Sequence, residues 1–190
     1  MSFNARILAD SVSAVGHRLI TLVVRLPRIM LAELNTHRQL SKNSASSRAK
    51  PTRKVLLELL RDTFIPETFG TAVGGMQAGP ALEGKADALA RQIWFDASRS
   101  AVYTALTMFL NERVVMSEWM KWVENVNDNF DEFVLNIALR IENKDRSLMR
   151  RRNLLQVSKG LVNRVLEPYS WHEVIITGTE WRHFLNLRTH

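Results

Sequence analysis

The sequence contains no cysteine. This absence excludes disulfide bonds, thiolate-bound metals, iron–sulfur clusters and every mechanism that uses a cysteine nucleophile. Histidine is also scarce, with five residues, and none of them has HxxxH or HExxH spacing. We therefore predict no metal site.

Long apolar runs are missing as well, so no membrane-spanning helix is expected. The first residues, MSFNARILADS, carry no apolar stretch behind their charges, which predicts no secretory signal and a cytoplasmic location. The chain has no G-x-S-x-G elbow, Walker loop or dinucleotide fingerprint. The glycine-rich piece GTAVGGMQAGP lacks the strand-then-helix context of such a fingerprint.

Positive charge is in excess, with 26 Lys and Arg against 19 Asp and Glu, a net charge of +7. Such a chain favours negatively charged partners, either nucleic acid or phosphorylated small molecules. The run MRRRN at 149–153 is the best nucleic-acid candidate. The aromatic residues, however, follow apolar helical patterns that favour core packing over base stacking. Nucleic acid is therefore the less favoured partner.

The 190 residues suffice for one domain, spanning 1–190, with a mixed order of strands and helices. Strands are predicted at 5–10, 18–26 and 174–177, the first two joined by a turn through Ser13 to Gly16. Helices are predicted at 28–38, 52–62, 85–113 (whole or broken), 116–141, from Leu154 to Pro168, and 179–188. Residues 41–51 are predicted to form a loop, and residues 63–85 a loop that is mobile or covers a ligand.

The segment THRQLSKNSASSR, residues 36–48, combines fixed cations with serine hydroxyls and has almost no apolar side chain. Two interpretations stay open: a solvated basic loop, or a cradle for an oxyanion. A second set of polar residues lies in NRVLEP, residues 163–168, and at Arg188. Arg164 could equally serve only to stabilise the end of its helix.

Residues 37–48 fit the pattern H-R-x-x-S-x-N-x-x-S-x-R, which resembles the signature of the flavin-dependent thymidylate synthases. The segments PRIMLAELNTHR, GGMQAG, NRVLEP and TGTEWRHFLNLRTH look like the bacteriophage and actinobacterial branch of that family. Residues 112–155 match least and could be an insertion. The resemblance implies a mixed α/β (α+β) fold with a central, mainly antiparallel sheet flanked by helices, and a homotetramer. For a phage protein the location would be the host cytoplasm.

The resemblance further implies reductive methylation of dUMP to dTMP with methylenetetrahydrofolate, FAD and NADPH. Arg188 falls where the family's arginine polarises the uracil ring, which makes it the implied catalytic residue. The positions implied for dUMP are Glu33, Thr36, Ser44, Ser46, Ser47, Arg48, Arg164 and Arg188. The positions implied for FAD are Thr36, His37, Arg38, Asn43, Ser44, Thr177, Thr179 and His183.

The chain departs from the widespread form of the motif at Thr36, where the family often has Arg, and at Ser44, where it often has Glu. The lack of cysteine agrees with a flavin route, because ordinary thymidylate synthases attack dUMP with a cysteine. Three alternatives stay open. They are a flavin-dependent hydroxymethylase of pyrimidine nucleotides, a basic nucleic-acid-binding protein, and a degenerate, inactive relative.

Overall fold

The computed structural model describes residues 3–74, 78–125, 129–149 and 157–186. It confirms a mixed α/β fold with one open antiparallel sheet of four strands in the order β1-β2-β4-β3. The strands are β1 (Asn4–Val12), β2 (Arg18–Pro27), β3 (Ser41–Ser44) and β4 (Trp171–Gly178). Within these ranges, no helix has the length and apolar character needed to cross a membrane.

Eight α-helices occur in the described ranges, together with two short 3-10 helices at Arg28–Met30 and Glu167–Tyr169. The helices are α1 (Leu31–Thr36), α2 (Thr52–Arg61), α3 (Gly84–Leu110), α4 (Glu112–Asn125), α5 (Phe130–Glu142), α6 (Arg146–Met149), α7 (Lys159–Leu166) and α8 (Trp181–Asn186).

The hairpin of β1 and β2 confirms the two strands and the turn predicted between residues 5 and 26. The strands pair from Asn4 opposite Arg25 to Val12 opposite Arg18. The turn is closed by hydrogen bonds from the Ser13 amide to the His17 carbonyl and from the Gly16 amide to the Ser13 carbonyl. Gly16 has a φ of +85°, a left-handed conformation that glycine adopts without steric cost.

The predicted loop at 41–51 is wrong for its first four residues, which form β3. Ser41 pairs with Thr177 and Ser44 pairs with Val174, so β3 lies at the edge of the sheet. An edge strand forms hydrogen bonds to one neighbour only and tolerates polar side chains. The polar composition of β3 therefore predicted a loop although the segment is a strand.

Two helix predictions also need correction, and the choice left open at 85–113 is decided for one unbroken helix. The predicted helix at 28–38 is a 3-10 turn followed by α1, and Lys42 ends α1 by donating to the carbonyls of Leu34 and His37. The predicted helix at 116–141 is two helices, α4 and α5. Helix α3 runs unbroken until Asn111, whose φ is 123°.

Apolar residues form two clusters. The first lies on one face of the sheet, where Leu26, Val174 and Ile176 pack with Leu40 and with side chains of α1 and α8. The second joins α2, α3, α5 and α7 through fully buried residues such as Phe133. In β4 the even positions 172, 174 and 176 are buried and the odd positions 173 and 175 are exposed, as alternation in a strand requires.

Candidate functional site

The turn after β3 is held against α7 by one buried side chain. The Asn163 amide donates to the carbonyls of Ser47 and Lys50, at 2.8 and 3.0 Å. Asn163 is only 3% exposed, and the turn closes with a bond from the Ala49 amide to the Ser46 carbonyl at 2.9 Å. The end of the H-R-x-x-S-x-N-x-x-S-x-R segment therefore meets the NRVLEP segment, 116 residues further along.

Two arginines lie at α7, one packed across it and one carried by it. A Cβ atom built on Gly160 would lie 2.9 Å from Cγ of Arg48, so the stem of Arg48 crosses the helix at this glycine. Arg164 follows Gly160 by one turn and shares its face of the helix. Both arginines are exposed, and neither forms a salt bridge with any described residue. Both guanidinium groups are therefore available to an anion.

A network around Arg28 supports the same turn from the other side. Nη1 of Arg28 donates to Nε2 of His172 at 2.6 Å and to the Ala45 carbonyl at 3.3 Å, while Nη2 donates to Oε1 of Glu167 at 3.3 Å. The Ser47 hydroxyl donates to the same oxygen of Glu167. Ser47 is thus fixed through its carbonyl by α7 and through its hydroxyl by Glu167.

The electrostatics of this network keep His172 neutral. Burial, and then the positive charges of Arg28 and Lys50, lower the pKa of His172 from 6.5 to about 4. A guanidinium only donates hydrogen bonds, so the ring nitrogen facing Arg28 must accept one. The geometry and the lowered pKa therefore require the same uncharged imidazole.

Two adjoining clefts open at this point. The inner cleft is lined by polar residues, chiefly Arg28, Ser46, Ser47, Asn163, Glu167 and His172. The sheet cleft lies beside it on the sheet, lined chiefly by Arg6, Asn43, Ser44, Glu173 and Ile175. Lys50 and His172 line both clefts, so a ligand could extend from one into the other.

The sheet cleft has a floor set by strand register. Arg6 pairs with Val23, Val23 with Ile175, and Ile175 with Asn43, so these four residues form one row across all four strands. Residues paired across a sheet present their side chains on the same face. The row offers two apolar side chains between a cation and an amide.

The residues implied for FAD divide between two places. Thr36 ends α1, and His37 and Arg38 follow it. The His37 ring lies 5.3 Å from the Phe184 ring of α8, the helix that carries His183. Thr177 lies opposite Ser41 at this end of β3, and its hydroxyl is 2.9 Å from that of Thr21.

Thr179 is exposed in the connection between β4 and α8, and His183 is exposed on α8. Asn43 and Ser44 instead lie in the sheet cleft. The two groups are joined by β3, whose ends are about 10 Å apart at ~3.3 Å per residue.

The residues implied for dUMP are also divided. Ser46, Ser47, Arg48 and Arg164 come together around the turn and α7, with Ser44 in the adjoining sheet cleft. Glu33 and Thr36 instead belong to the α1 end, where the Thr36 hydroxyl donates to the Glu33 carbonyl at 2.6 Å.

Some predicted features lie outside the described residues. They are Arg188, the run from Arg150 to Asn153, Leu154, and the central Gly75, Met76 and Gln77 of the glycine-rich piece.

Sequence reasoning missed Arg28 and Lys50 and treated His172 as isolated. The position of His172 carried a signal, because it is a polar residue in register with the buried positions 174 and 176. Arg28 directly follows β2, opposite the start of β4, which only the strand pairing reveals. Among the described residues, no group of three or more His, Asp or Glu could hold a metal ion.

Comparison with known proteins yields structural neighbours only. No protein-family model and no curated protein matches the chain. Two similar solved structures are of a UMP/dUMP methylase, PolB, from Streptomyces cacaoi, one bound with 5-Br UMP and the other with 5-Br dUMP. The first is 15% identical with a TM-score of 0.49, covering 100% of this chain and 77% of PolB. The second is 14% identical with a TM-score of 0.48, covering 100% and 79%. Similarity at this level does not assign a function to the chain.

Proposed function

We propose that this protein methylates dUMP to dTMP in the manner of a flavin-dependent thymidylate synthase. Methylenetetrahydrofolate would supply the carbon, and FAD and NADPH the reducing equivalents. The observation that carries the proposal is the meeting of residues 46–48 with residues 160–167, two segments that separately resemble the family. The proposal includes a homotetramer in the cytoplasm.

The turn and α7 suit the phosphate of a nucleotide. Arg48 and Arg164 provide two guanidinium groups that no described carboxylate neutralises, and Ser46 lies exposed beside them. A guanidinium binds phosphate through two parallel N–H donors, and charge-assisted bonds of this kind are about twice as strong as neutral ones. The phosphate would bind here, and the sheet cleft, with a volume of about 510 Å³, would receive the rest of the nucleotide.

The residues implied for FAD fit its chemistry in part. A cation, imidazoles and hydroxyls gather near α1 and α8, and Asn43 and Ser44 continue along β3. An extended dinucleotide can cover the length of β3, which is about 10 Å. Three of the residues implied for FAD lie outside both clefts, namely Thr36, His37 and Arg38, and two more, Thr179 and His183, are exposed. A second copy of the chain would therefore have to form the other side of the FAD site.

The missing cysteine determines which steps the protein performs and which the cofactor performs. The chain has no thiol to add to the uracil ring, so activation must come from charge and orientation. We assign to Arg188 the stabilisation of negative charge on the ring. Bound FAD, once reduced by NADPH, would supply the hydride that completes the methyl group, while the protein binds and orients the reactants.

The first test weighs the nucleotide product. The protein is incubated with dUMP, methylenetetrahydrofolate, FAD and NADPH, and mass spectrometry should find a product one CH2 heavier than dUMP. An increase of CH2O would instead indicate the hydroxymethylase. Binding of dUMP and FAD without a product would indicate an inactive relative.

The second test concerns the phosphate site. Arg48→Gln and Arg164→Gln should each raise the KM for dUMP about tenfold, since each removes a charge-assisted bond. Arg113→Gln is the matched control, because Arg113 is exposed on α4, a helix that carries none of the residues implied for dUMP. Equal effects of all three variants would remove the support for this site.

A further inference from the structure

A cavity separate from both clefts lies where four helices end. It is lined by the start of α2 (Pro51, Thr52 and Arg53), the end of α3 (Phe109), the end of α5 (Ile141, Glu142 and Lys144) and the start of α7 (Lys159). None of these residues lines the inner cleft or the sheet cleft. We name it the helix-end cavity.

The charges around the helix-end cavity are mainly positive. Arg53, Lys144 and Lys159 face one carboxylate, Glu142, whose nearest approach to Arg53 is 4.0 Å. Lys144 and Lys159 form no salt bridge with any described residue. The cavity therefore keeps uncompensated positive charge.

Two helix N-termini add to this field. Pro51 and Ser158 are the N-cap residues of α2 and α7, and neither makes a side-chain capping bond. The first amide of α2 that bonds back within the helix is that of Lys54, so the amides of Thr52 and Arg53 remain at the open end. Such amides and the helix dipole favour an anion.

The C-terminal end of α5 also lies at the helix-end cavity, where its free carbonyl groups would repel an anion. Hydrogen bonds within the chain reduce this repulsion. The carbonyls of Leu139, Arg140 and Ile141 already accept bonds from the amides of Asn143, Asp145 and Lys144. Their negative ends are thus partly neutralised by the chain itself.

A separate observation points to a ligand. Thr52 lines the cavity and is only 3% exposed, yet its hydroxyl has no hydrogen-bond partner in the described parts of the chain. A buried hydroxyl without a hydrogen-bond partner is destabilising, so such groups normally have one. A ligand that accepts a hydrogen bond would satisfy it.

We propose that the helix-end cavity binds a small phosphate monoester. Arg53, Lys144 and Lys159 would contact the phosphate with the Thr52 hydroxyl and the open amides of α2. The side chains of Phe109 and Ile141 would pack against the organic part. This site goes beyond the proposed methylation and does not depend on it.

The experiment titrates the full chain with inorganic phosphate and with phenyl phosphate, following backbone amides by NMR. The amides of Thr52, Arg53 and Lys159 should shift saturably, with phenyl phosphate binding more tightly than inorganic phosphate. Lys159→Gln should weaken binding roughly fivefold. Lys54→Gln removes the same charge from an exposed position of α2 outside the cavity and should change binding less than twofold.

Arg164→Gln separates this site from the one proposed for dUMP, since it should leave the phosphate-induced shifts of Thr52 and Lys159 unchanged. Thr52→Val keeps the side-chain shape and should weaken binding. If that variant does not fold, Lys144→Gln takes its place with the same expectation. The proposal is overturned if no saturable shift occurs at these amides, or if Lys54→Gln weakens binding as much as Lys159→Gln.

Discussion

His172 is the residue whose chemistry depends most on its surroundings. It is 7% exposed at the start of β4, with the guanidinium of Arg28 at 2.6 Å from its Nε2 atom. Burial and two nearby cations all disfavour a second proton on the ring. The neutral ring in turn allows Arg28 to reach Glu167, which accepts from the Ser47 hydroxyl. Protonation of this one side chain would therefore disturb the turn that carries Ser46 and Arg48.

The lowered pKa of His172 predicts a loss of stability in acid. The unfolded chain takes up a proton on this imidazole near pH 6.5, whereas the folded chain does so only near pH 4. The free energy of unfolding should thus keep its full value above pH 6.5 and fall as the pH drops from 6.5 towards about 4. Urea unfolding over this range measures the slope, and His172→Gln should flatten it.

The same residue can be followed directly by NMR. Arg28→Met should raise the pKa of His172, because it removes a positive charge and leaves Glu167 nearby. An imidazole in the wild-type chain that titrates at its ordinary value, with Arg28→Met having no effect, would contradict the assigned network.

At the scale of elements, α7 connects both halves of the candidate site. Its residue Asn163 holds the turn after β3, and its Gly160 gives room to Arg48. The helix has eight residues, four of them buried. Its place is therefore set by packing against α2 and α3, and small changes on its surface should affect binding more than folding.

Gly160→Ala tests this view. Alanine is favoured over glycine in a helix by about 1 kcal/mol, but its Cβ would lie 2.9 Å from Cγ of Arg48 and displace that side chain. We expect a several-fold rise in the KM for dUMP with unfolding free energy unchanged or slightly higher. Gly74→Ala is the control, since no atom lies within 4 Å of its added Cβ. A KM that stays unchanged in Gly160→Ala would show that Arg48 does not bind the phosphate.

The elements also show what the sequence could and could not predict. The first hairpin and α2 have strong local patterns, and both form as predicted. Strand β3 was missed because its four polar residues are ordered by pairing with β4, whose partner residues lie 130 to 136 positions further along the chain. Arg28 meets His172 for the same reason, through the pairing of Pro27 with Trp171. Ser46 and Arg48 were predicted as site residues from a motif, and no local pattern predicts that the turn carrying them packs against α7.

At the scale of the molecule, the net charge of +7 is unevenly neutralised. Several arginines are paired within the fold, among them Arg25 with Asp62 and Arg140 with Glu118. Arg48 and Arg164 stay unpaired among the described residues, and both lie at α7. A local cluster of this kind suits a small phosphorylated ligand better than a duplex, which needs cations spread along a face.

This distribution gives a prediction that separates the proposed enzyme from a nucleic-acid-binding protein. A protein that neutralises six to ten phosphates of DNA loses about 10³–10⁵ in affinity between roughly 50 and 200 mM salt. Binding of dUMP, which offers one phosphate, should lose far less over the same range. Fluorescence anisotropy with labelled duplex DNA, and competition by unlabelled dUMP, measure both. We expect weak DNA binding that dUMP does not displace.

Replacing the arginines at 150–152 by glutamine should leave the KM for dUMP unchanged, because they lie outside the motif segments 37–48 and 163–168. Tight DNA binding with a steep salt dependence, lost in that variant and blocked by dUMP, would identify the α7 cluster as part of a nucleic-acid surface and reject the enzyme.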